Sequence, residues 1–398
     1  MSLIMRSLIL VLMLLFVVVQ LLAQSNAHKK SGFAIIDPVY HSDKQSPESN
    51  LKVDAVSWIY GPAELESWRL QALRERKDIA ELKVGYPGDF HQAYTKASFR
   101  LRLNGQKITN PLCFRAVGKG KVYVNDFLIF QFDGNDSVRS ISIPSNRSIK
   151  ELRFELTTSA EPPALLITSG LFSTSNAQWE WKAETENWQP AFHFAQTLSD
   201  VPPHLLEYST VILKPEIKDG ELYDFGRELF GYISIRNSTK PRISVGESKV
   251  EALDTLNKVL EQSLEMVPSE DEIWKSKSPL AFRYLFVDVK NANDIQCNAI
   301  FYPACYKGAF ACSDSLLTRI WMSSAYTLRL CMNEFLTDGV KRDRLPWAGD
   351  LAMSMMANAY SFGDAEIVRR SLTVLGRAGI KNTDINGTID YSLWWIIS

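Results

Sequence analysis

The stretch Asp338-Gly339-Val340-Lys341-Arg342-Asp343-Arg344-Leu345-Pro346-Trp347-Ala348-Gly349-Asp350 stands between two segments of helical period. Upstream, Ser313 or Asp314 offers an N-cap, and Leu317, Ile320, Trp321, Ser324, Leu328 and Cys331 follow at three- and four-residue spacing. This predicts one helix of about six turns ending near Leu336. A second helix is expected from Gly349 to Ser361. A third begins after Asp364, carries Ile367, Val368, Leu372 and Leu375, and stops near Gly379. Tyr391 to Ile397 is very apolar and reads as a fourth. The carboxy-terminal quarter is therefore helical hairpin material. The quoted stretch is an inter-helix loop, a usual place for binding and catalytic groups held on a rigid frame.

Upstream the period changes. Ala97 to Leu103 alternates and meets Asn104-Gly105, a hairpin-type turn. Lys121 to Phe132 holds two apolar runs joined around Asn125-Asp126; Ile149 to Leu156 alternates again, and Ala164 to Ile167 is a further short run. These are antiparallel β-sandwich signals. A tryptophan cluster (Trp179, Trp181, Trp188) follows, and Pro202-Pro203 marks a boundary. A second strand-rich block runs from Val211 to Tyr302, with Tyr232 to Ile235, Ile243 to Val245 and Phe282 to Val289. Glu247 to Glu265 fits either a helix or a long loop.

The chain has 398 residues, a net charge of −1 and 46% hydrophobic residues, which describes globular material with more than one core. Near-neutral charge without a basic run excludes an electrostatic footprint for nucleic acid. Arg6, the apolar run Leu8 to Val19 and the small or polar residues from Ala23 to Ala27 read as a secretory signal peptide, residues 1–24. The run is shorter than the roughly 20 residues of a membrane span, so an exported protein with no span after cleavage is expected. The five cysteines fit neither a disulfide scaffold nor a zinc site, and the five histidines are scattered. No nucleophile elbow or P-loop is present, and no metal or cofactor is called for.

The loop invites a glycosidic reading. Breaking a glycosidic bond needs an acid to protonate the leaving oxygen and a second carboxylate as base or nucleophile. Apolar cover from Trp347 and repulsion from Asp338 and Asp350 would raise the pKa of Asp343; Arg342 and Arg344 would lower it. The plainer reading of the same residues is a solvated, salt-bridged turn with Trp347 in the core.

The order of residues resembles the catalytic loop of bacterial α-L-rhamnosidases, glycoside hydrolase family 78, of the six-hairpin glycosidase superfamily. Tyr223 to Tyr232, Gly246-Glu247, Phe282-Arg283-Tyr284 and Gly308 to Asp314 fit the same family in the same order, over roughly residues 205–398. The resemblance implies a multidomain β + α architecture. An accessory antiparallel β-sandwich (25–200) and a second β-sandwich or linker domain (205–305) precede the first helical hairpins of an incomplete (α/α)6 barrel (306–398). It implies inverting hydrolysis of terminal rhamnosides, with a rhamnose-containing glycan or glycoside as partner. Asp343 falls at the family's general acid, and Asp338, Arg342, Trp347 and Asp350 at its sugar-binding positions. Two departures stand out: Asp343 is one methylene shorter than the usual Glu, and Gly339-Val340 replaces the usual Cys-Pro.

Residues 306–398 have room for about four helices of average size, whereas a barrel of twelve needs several times that. The expectation is an amino-terminal portion of a rhamnosidase-like protein that lacks the general base and is inactive alone. The alternative is a non-catalytic carbohydrate-binding β-sandwich using Trp179, Trp181 and Trp188, with a vestigial helical segment. A polysaccharide lyase is a weaker third reading, since the loop offers carboxylates where lyases use Tyr, His or Arg.

Overall fold

The computed structural model describes residues 36–39, 57–75, 91–106, 111–134, 137–143, 148–168, 170–175, 177–184, 186–193, 201–205, 208–255, 262–289, 292–377 and 384–398. The expected signal peptide lies outside the described residues. No described helix is long and apolar enough to cross a membrane.

Two antiparallel sheets face each other in the first domain. One orders Phe192–His193, Ile59–Tyr60, Ala164–Ile167, Leu112–Val117 and Arg139–Ile141. The other orders Gln189–Pro190, Glu180–Ala183, Lys96–Gln106, Ile149–Thr157, Lys119–Val124 and Phe127–Phe132. Strand alternation sends Leu152, Phe154 and Leu156 to one side, where they meet Phe114 and Ile167 of the opposite sheet in one core. Asn125 and Asp126, with φ of 48° and 68°, make the two-residue turn foreseen between Lys119–Val124 and Phe127–Phe132. Asn104-Gly105 does not turn the chain. It lies within the strand Lys96–Gln106, where the pairing with Ile149–Thr157 shifts register between Arg102 and Gln106. Gly105, at φ 77°, supplies a bulge there instead of a hairpin.

The tryptophan cluster is mostly core. Trp179 and Trp181 are buried, Trp179 donates from Nε1 to the Phe172 carbonyl at 3.2 Å, and Trp188 stacks under Arg100 at 3.9 Å. A helix absent from the sequence reading, α1 (Glu64–Arg74), leaves this domain and seats Leu70 and Leu73 in the core of the helical region.

The second domain is one branched sheet built on the strand Leu222–Arg236, which pairs with Leu280–Asp288, Ile273–Ser276, Asn293–Phe301 and Ile217–Asp219. The undecided stretch after Glu247 opens with α2 (Lys249–Leu253), capped by Ser248 Oγ accepting from the Glu251 N–H at 3.3 Å.

The helical region begins with α3 (Ser315–Cys331), whose N-cap is Asp314; its Oδ1 accepts from the Leu316 and Leu317 N–H groups. The helix stops at Cys331, earlier than the spacing predicts. Met332 turns extended and bridges to Leu336, while the Thr337 N–H and hydroxyl both reach the Cys331 carbonyl at 3.0 Å. Then come α4 (Ala348–Ser361), α5 (Ala365–Gly376, capped by Asp364) and α6 (Ile389–Ile397). At Gly308 a Cβ would come within 1.8 Å of the Tyr360 carbonyl oxygen, so only glycine lets the incoming chain cross the end of α4. Arg369 of α5 pairs with Glu66, and Arg377 just beyond it with Glu64, each at 2.7 Å, which locks α1 onto α5. The architecture is the one the sequence indicates: antiparallel β-domains followed by helical hairpins.

Candidate functional site

Between α3 and α4 the loop is pinched at its neck. Asp338 donates its N–H to the Leu345 carbonyl at 3.1 Å, and its Oδ1 accepts from the Leu345 N–H at 3.0 Å. Inside this neck Asp343 and Arg344 both hold positive φ, 56° and 52°, and the Arg344 N–H reaches the Arg342 carbonyl at 2.6 Å. A left-handed non-glycine residue costs on the order of 1 kcal/mol or more, so packing must hold this turn in place. Val340 packs on the core of the second domain, and the buried Arg344 guanidinium lies 5.4 Å from the Phe230 ring centre.

Past the loop, Trp347 precedes α4 without a side-chain cap. The cap comes from far along the chain: Asn386 Oδ1 accepts the Ala348 N–H at 2.9 Å, and its Nδ2 donates to the Pro346 carbonyl at 3.2 Å. The same crossing brings Tyr391 against Gly349, where a Cβ would sit 2.8 Å from the ring.

These contacts enclose an open cavity of about 410 Å³ lined by Asp338, Gly349, Asp350, Met353, Ser354, Tyr391 and Trp394. Two of the predicted site residues, Asp338 and Asp350, therefore face one concavity. Burial pushes the Asp338 carboxyl up to about 6, against the Leu345 N–H bond that holds it down; the charges of Asp343 and Asp350 add to the rise. Asp350 sits in the first turn of α4, where the helix dipole favours a negative charge, and Tyr391 Oη donates toward its Oδ2 at 3.5 Å. The tyrosine hydroxyl is raised by its own burial and by Asp350.

The other three predicted residues stand outside the lining. Asp343 is 20% exposed, 3.8 Å from Arg342 Nε, and acts on Asp338 through its charge. Arg342 is 77% exposed. Trp347 is half-buried and packs edge-on against Tyr391, with ring centres 6.2 Å apart. The aromatic faces at the cavity belong to Tyr391 and Trp394, and the frame depends on Asn386; none of the three was singled out from the sequence. The signal of Tyr391 and Trp394 was faint, because the run Tyr391 to Ile397 reads as mostly apolar.

Residues 306–388 match the family described as the bacterial alpha-L-rhamnosidase 6 hairpin glycosidase domain. The helical region is rhamnosidase-like. No curated protein matches the chain. Among solved structures, it is similar to a GH78 family rhamnosidase of Bacillus sp. GL1 at 16% identity and TM-score 0.37, covering 86% of this chain and 44% of that one. The α-L-rhamnosidase of Dictyoglumus thermophilum matches at 16% identity and TM-score 0.37, over 85% and 46% of the two chains. A rhamnosidase from Klebsiella oxytoca with rhamnose bound matches at 17% identity and TM-score 0.39, over 86% and 55%. The chain thus spans about half the length of the solved structures it matches.

Proposed function

We propose that the chain carries the proton-donating side of an exported, inverting glycoside hydrolase site for terminal α-L-rhamnosides. One observation carries the reading: Asp338 and Asp350 line one concavity beside Tyr391 and Trp394, and the Asp338 carboxyl is raised to about 6. A carboxyl raised toward neutrality still holds its proton in part of the molecules there, which protonation of a leaving oxygen requires. In this reading Asp338 holds that proton. Asp350 takes a sugar hydroxyl, and the two rings offer flat apolar faces to the pyranose. Asp343, the acid by position in the family pattern, raises Asp338 by its charge. Inversion also needs a base on the far side of the sugar, about 6.5–9.5 Å from the acid. Among the described residues, Asp338 and Asp350 are the only acidic side chains lining the cavity; in this reading the chain alone binds the sugar without turning it over. Export rests on the order Arg6, Leu8 to Val19, Ala23.

The test is titration of the purified chain with L-rhamnose, followed by NMR, together with an aryl α-L-rhamnoside assay. Saturable rhamnose binding that is lost in Asp350→Asn and Trp394→Ala, without hydrolysis, is the expected outcome. Absence of binding removes the reading, and hydrolysis by the chain alone removes its second half. In a hydrolytically competent assembly, loss of turnover in Asp338→Asn but not Asp343→Asn assigns the acid to Asp338; the reverse returns it to Asp343.

A further inference from the structure

A larger cavity lies in the first domain, and none of the loop at 338–350 lines it. The strand Leu112–Val117 belongs to one sheet and Lys119–Val124 to the other, so Gly118 alone carries the chain across. It does so at φ 103°, where an added Cβ would stand 2.6 Å from the Thr157 carbonyl oxygen. Gly134 approaches nearly as closely, since its Cβ would meet the backbone nitrogen of Lys119 at 3.1 Å. Both glycines line an open cleft of about 570 Å³, together with Lys119, Ser159, Glu161 and His204. Its volume suits a small molecule, and a domain boundary is a usual place for such a site.

The walls of the cleft are held from behind. Thr158 donates its N–H to the Thr95 carbonyl at 2.9 Å, and its hydroxyl reaches the Glu161 carbonyl. The buried Pro162 and Pro163 fix the backbone beyond Glu161. His204 stands edge-on to Trp68 of α1, with ring centres 6.3 Å apart. The buried Arg69 of α1 donates to the Pro203 carbonyl at 2.7 Å, so the helix pins the connector that carries His204. A preformed cleft loses little conformational freedom on binding.

The polar side chains in it are uncommitted. Those of Lys119, Ser159 and Glu161 make no hydrogen bond or ion pair among the described residues. One cation and one anion in the same cleft decide the class of ligand. A net anion meets Glu161, a net cation meets Lys119, and an apolar molecule would cover all three groups without bonding them. A zwitterion would match both charges, but ion pairs at an open, solvated position contribute little. A neutral molecule with hydroxyls all round can accept from Lys119, donate to Glu161 and do either with Ser159.

We propose that this cleft is a second, non-catalytic site for a neutral saccharide, with Glu161 and Lys119 holding hydroxyls and the His204 ring offering a fixed flat face. The tryptophans Trp179 and Trp181, at which a glycan was expected on the β-sandwich, are buried, so a saccharide held by this domain sits elsewhere. The cleft shares no lining residue with the cavity at Asp338 and Asp350, and the proposal stands apart from the hydrolase reading.

The test is NMR titration of the full, 15N-labelled chain with D-glucose, D-galactose, D-mannose and L-rhamnose in turn, and with inorganic phosphate, glucosamine and glycine betaine as charged controls. At least one of the four sugars should shift the amides of 117–119, 134, 157–161 and 204–205 saturably, with a millimolar dissociation constant. Glu161→Ala, Lys119→Ala and His204→Ala should each weaken that binding, the two charged positions by about tenfold, as befits a lost hydrogen bond to a charged group. Glu161→Gln, which keeps one acceptor, should weaken it less than Glu161→Ala. No shift at these amides with any of the four sugars would overturn the proposal, as would sugar binding indifferent to all the variants. A control that binds there as tightly as the best sugar would overturn the neutral class. Shifts at 349–354 report the other cavity and are scored separately, so either site can fail alone.

Discussion

The Arg344 guanidinium lies 5.4 Å from the centre of the Phe230 ring, joining the loop at 338–350 to the strand Leu222–Arg236. Two stretches more than a hundred residues apart in the sequence are thus two sides of one contact. Arg344 is 1% exposed, and a buried guanidinium must be held by more than one neighbour, so the aromatic face contributes to keeping it there. The left-handed turn at Asp343 and Arg344 depends on that anchor, because its own backbone geometry is unfavourable.

Phe230→Ala should therefore cost about 3–5 kcal/mol of global stability, the usual range for deleting a buried aromatic, measured by urea denaturation. Phe230→Leu keeps most of the volume and loses the ring's attraction for the cation, so it should cost less globally and still raise exchange at Arg344. Equal effects of Leu and Ala on the loop would show that volume alone holds Arg344.

Asn386→Ala should cost about 1 kcal/mol, the usual value of an N-cap, although Asn386 belongs to a distant turn. It satisfies the first N–H of α4 and the Pro346 carbonyl together. The loss should appear as fraying of the first turn of α4, seen in the amide shifts of Ala348 to Asp350. If Asn386→Ala matches wild type in both stability and those shifts, water caps the helix equally well.

The helices at 306–398 were legible because their signals are local. Asp314 and Asp364 are caps readable from sequence alone, and the apolar spacing after each is helical. The α1 helix was not legible, because its buried face carries Glu64, Glu66 and Arg69 beside Leu65 and Leu70. Its partners, Arg369 and Arg377, lie about 300 residues away, as sequence separations of 303 and 313 for the Glu66 and Glu64 bonds show. The loop carboxylates were legible as a group, but their division was not. Which of them faces the cavity depends on the neck between Asp338 and Leu345 and on the crossing of α6. The Trp179 and Trp181 side chains were visible as a cluster but not as core, since alternation does not say which sheet face is covered.

Gly349→Ala should weaken rhamnose binding more than it weakens the fold. An added Cβ meets the far part of the Tyr391 ring at 2.8 Å, so the ring must shift and take its hydroxyl away from Asp350. The helix itself gains from alanine, by up to about 1 kcal/mol in an interior position. Melting should change little, whereas the dissociation constant for L-rhamnose should rise several-fold. An unchanged dissociation constant would detach Tyr391 from sugar binding.

Asp338 gives the stability curve a predictable slope. Its folded carboxyl is raised to about 6, from an ordinary value near 3.8, mainly by burial. The folded state therefore binds more protons than the unfolded state between those two values. The contribution of Asp338 is fully present below about pH 4 and is lost as pH rises through about 6. Asp338→Asn keeps an oxygen to accept the Leu345 N–H and never ionises, so, with the shift discounted for the partial exposure of the group, its stability relative to wild type should improve by about 1–2 kcal/mol from pH 4 to pH 7. Parallel urea titrations of the two proteins at both pH values measure this difference. A constant difference would mean that Asp338 is an ordinary carboxylate, with no proton to donate near neutrality.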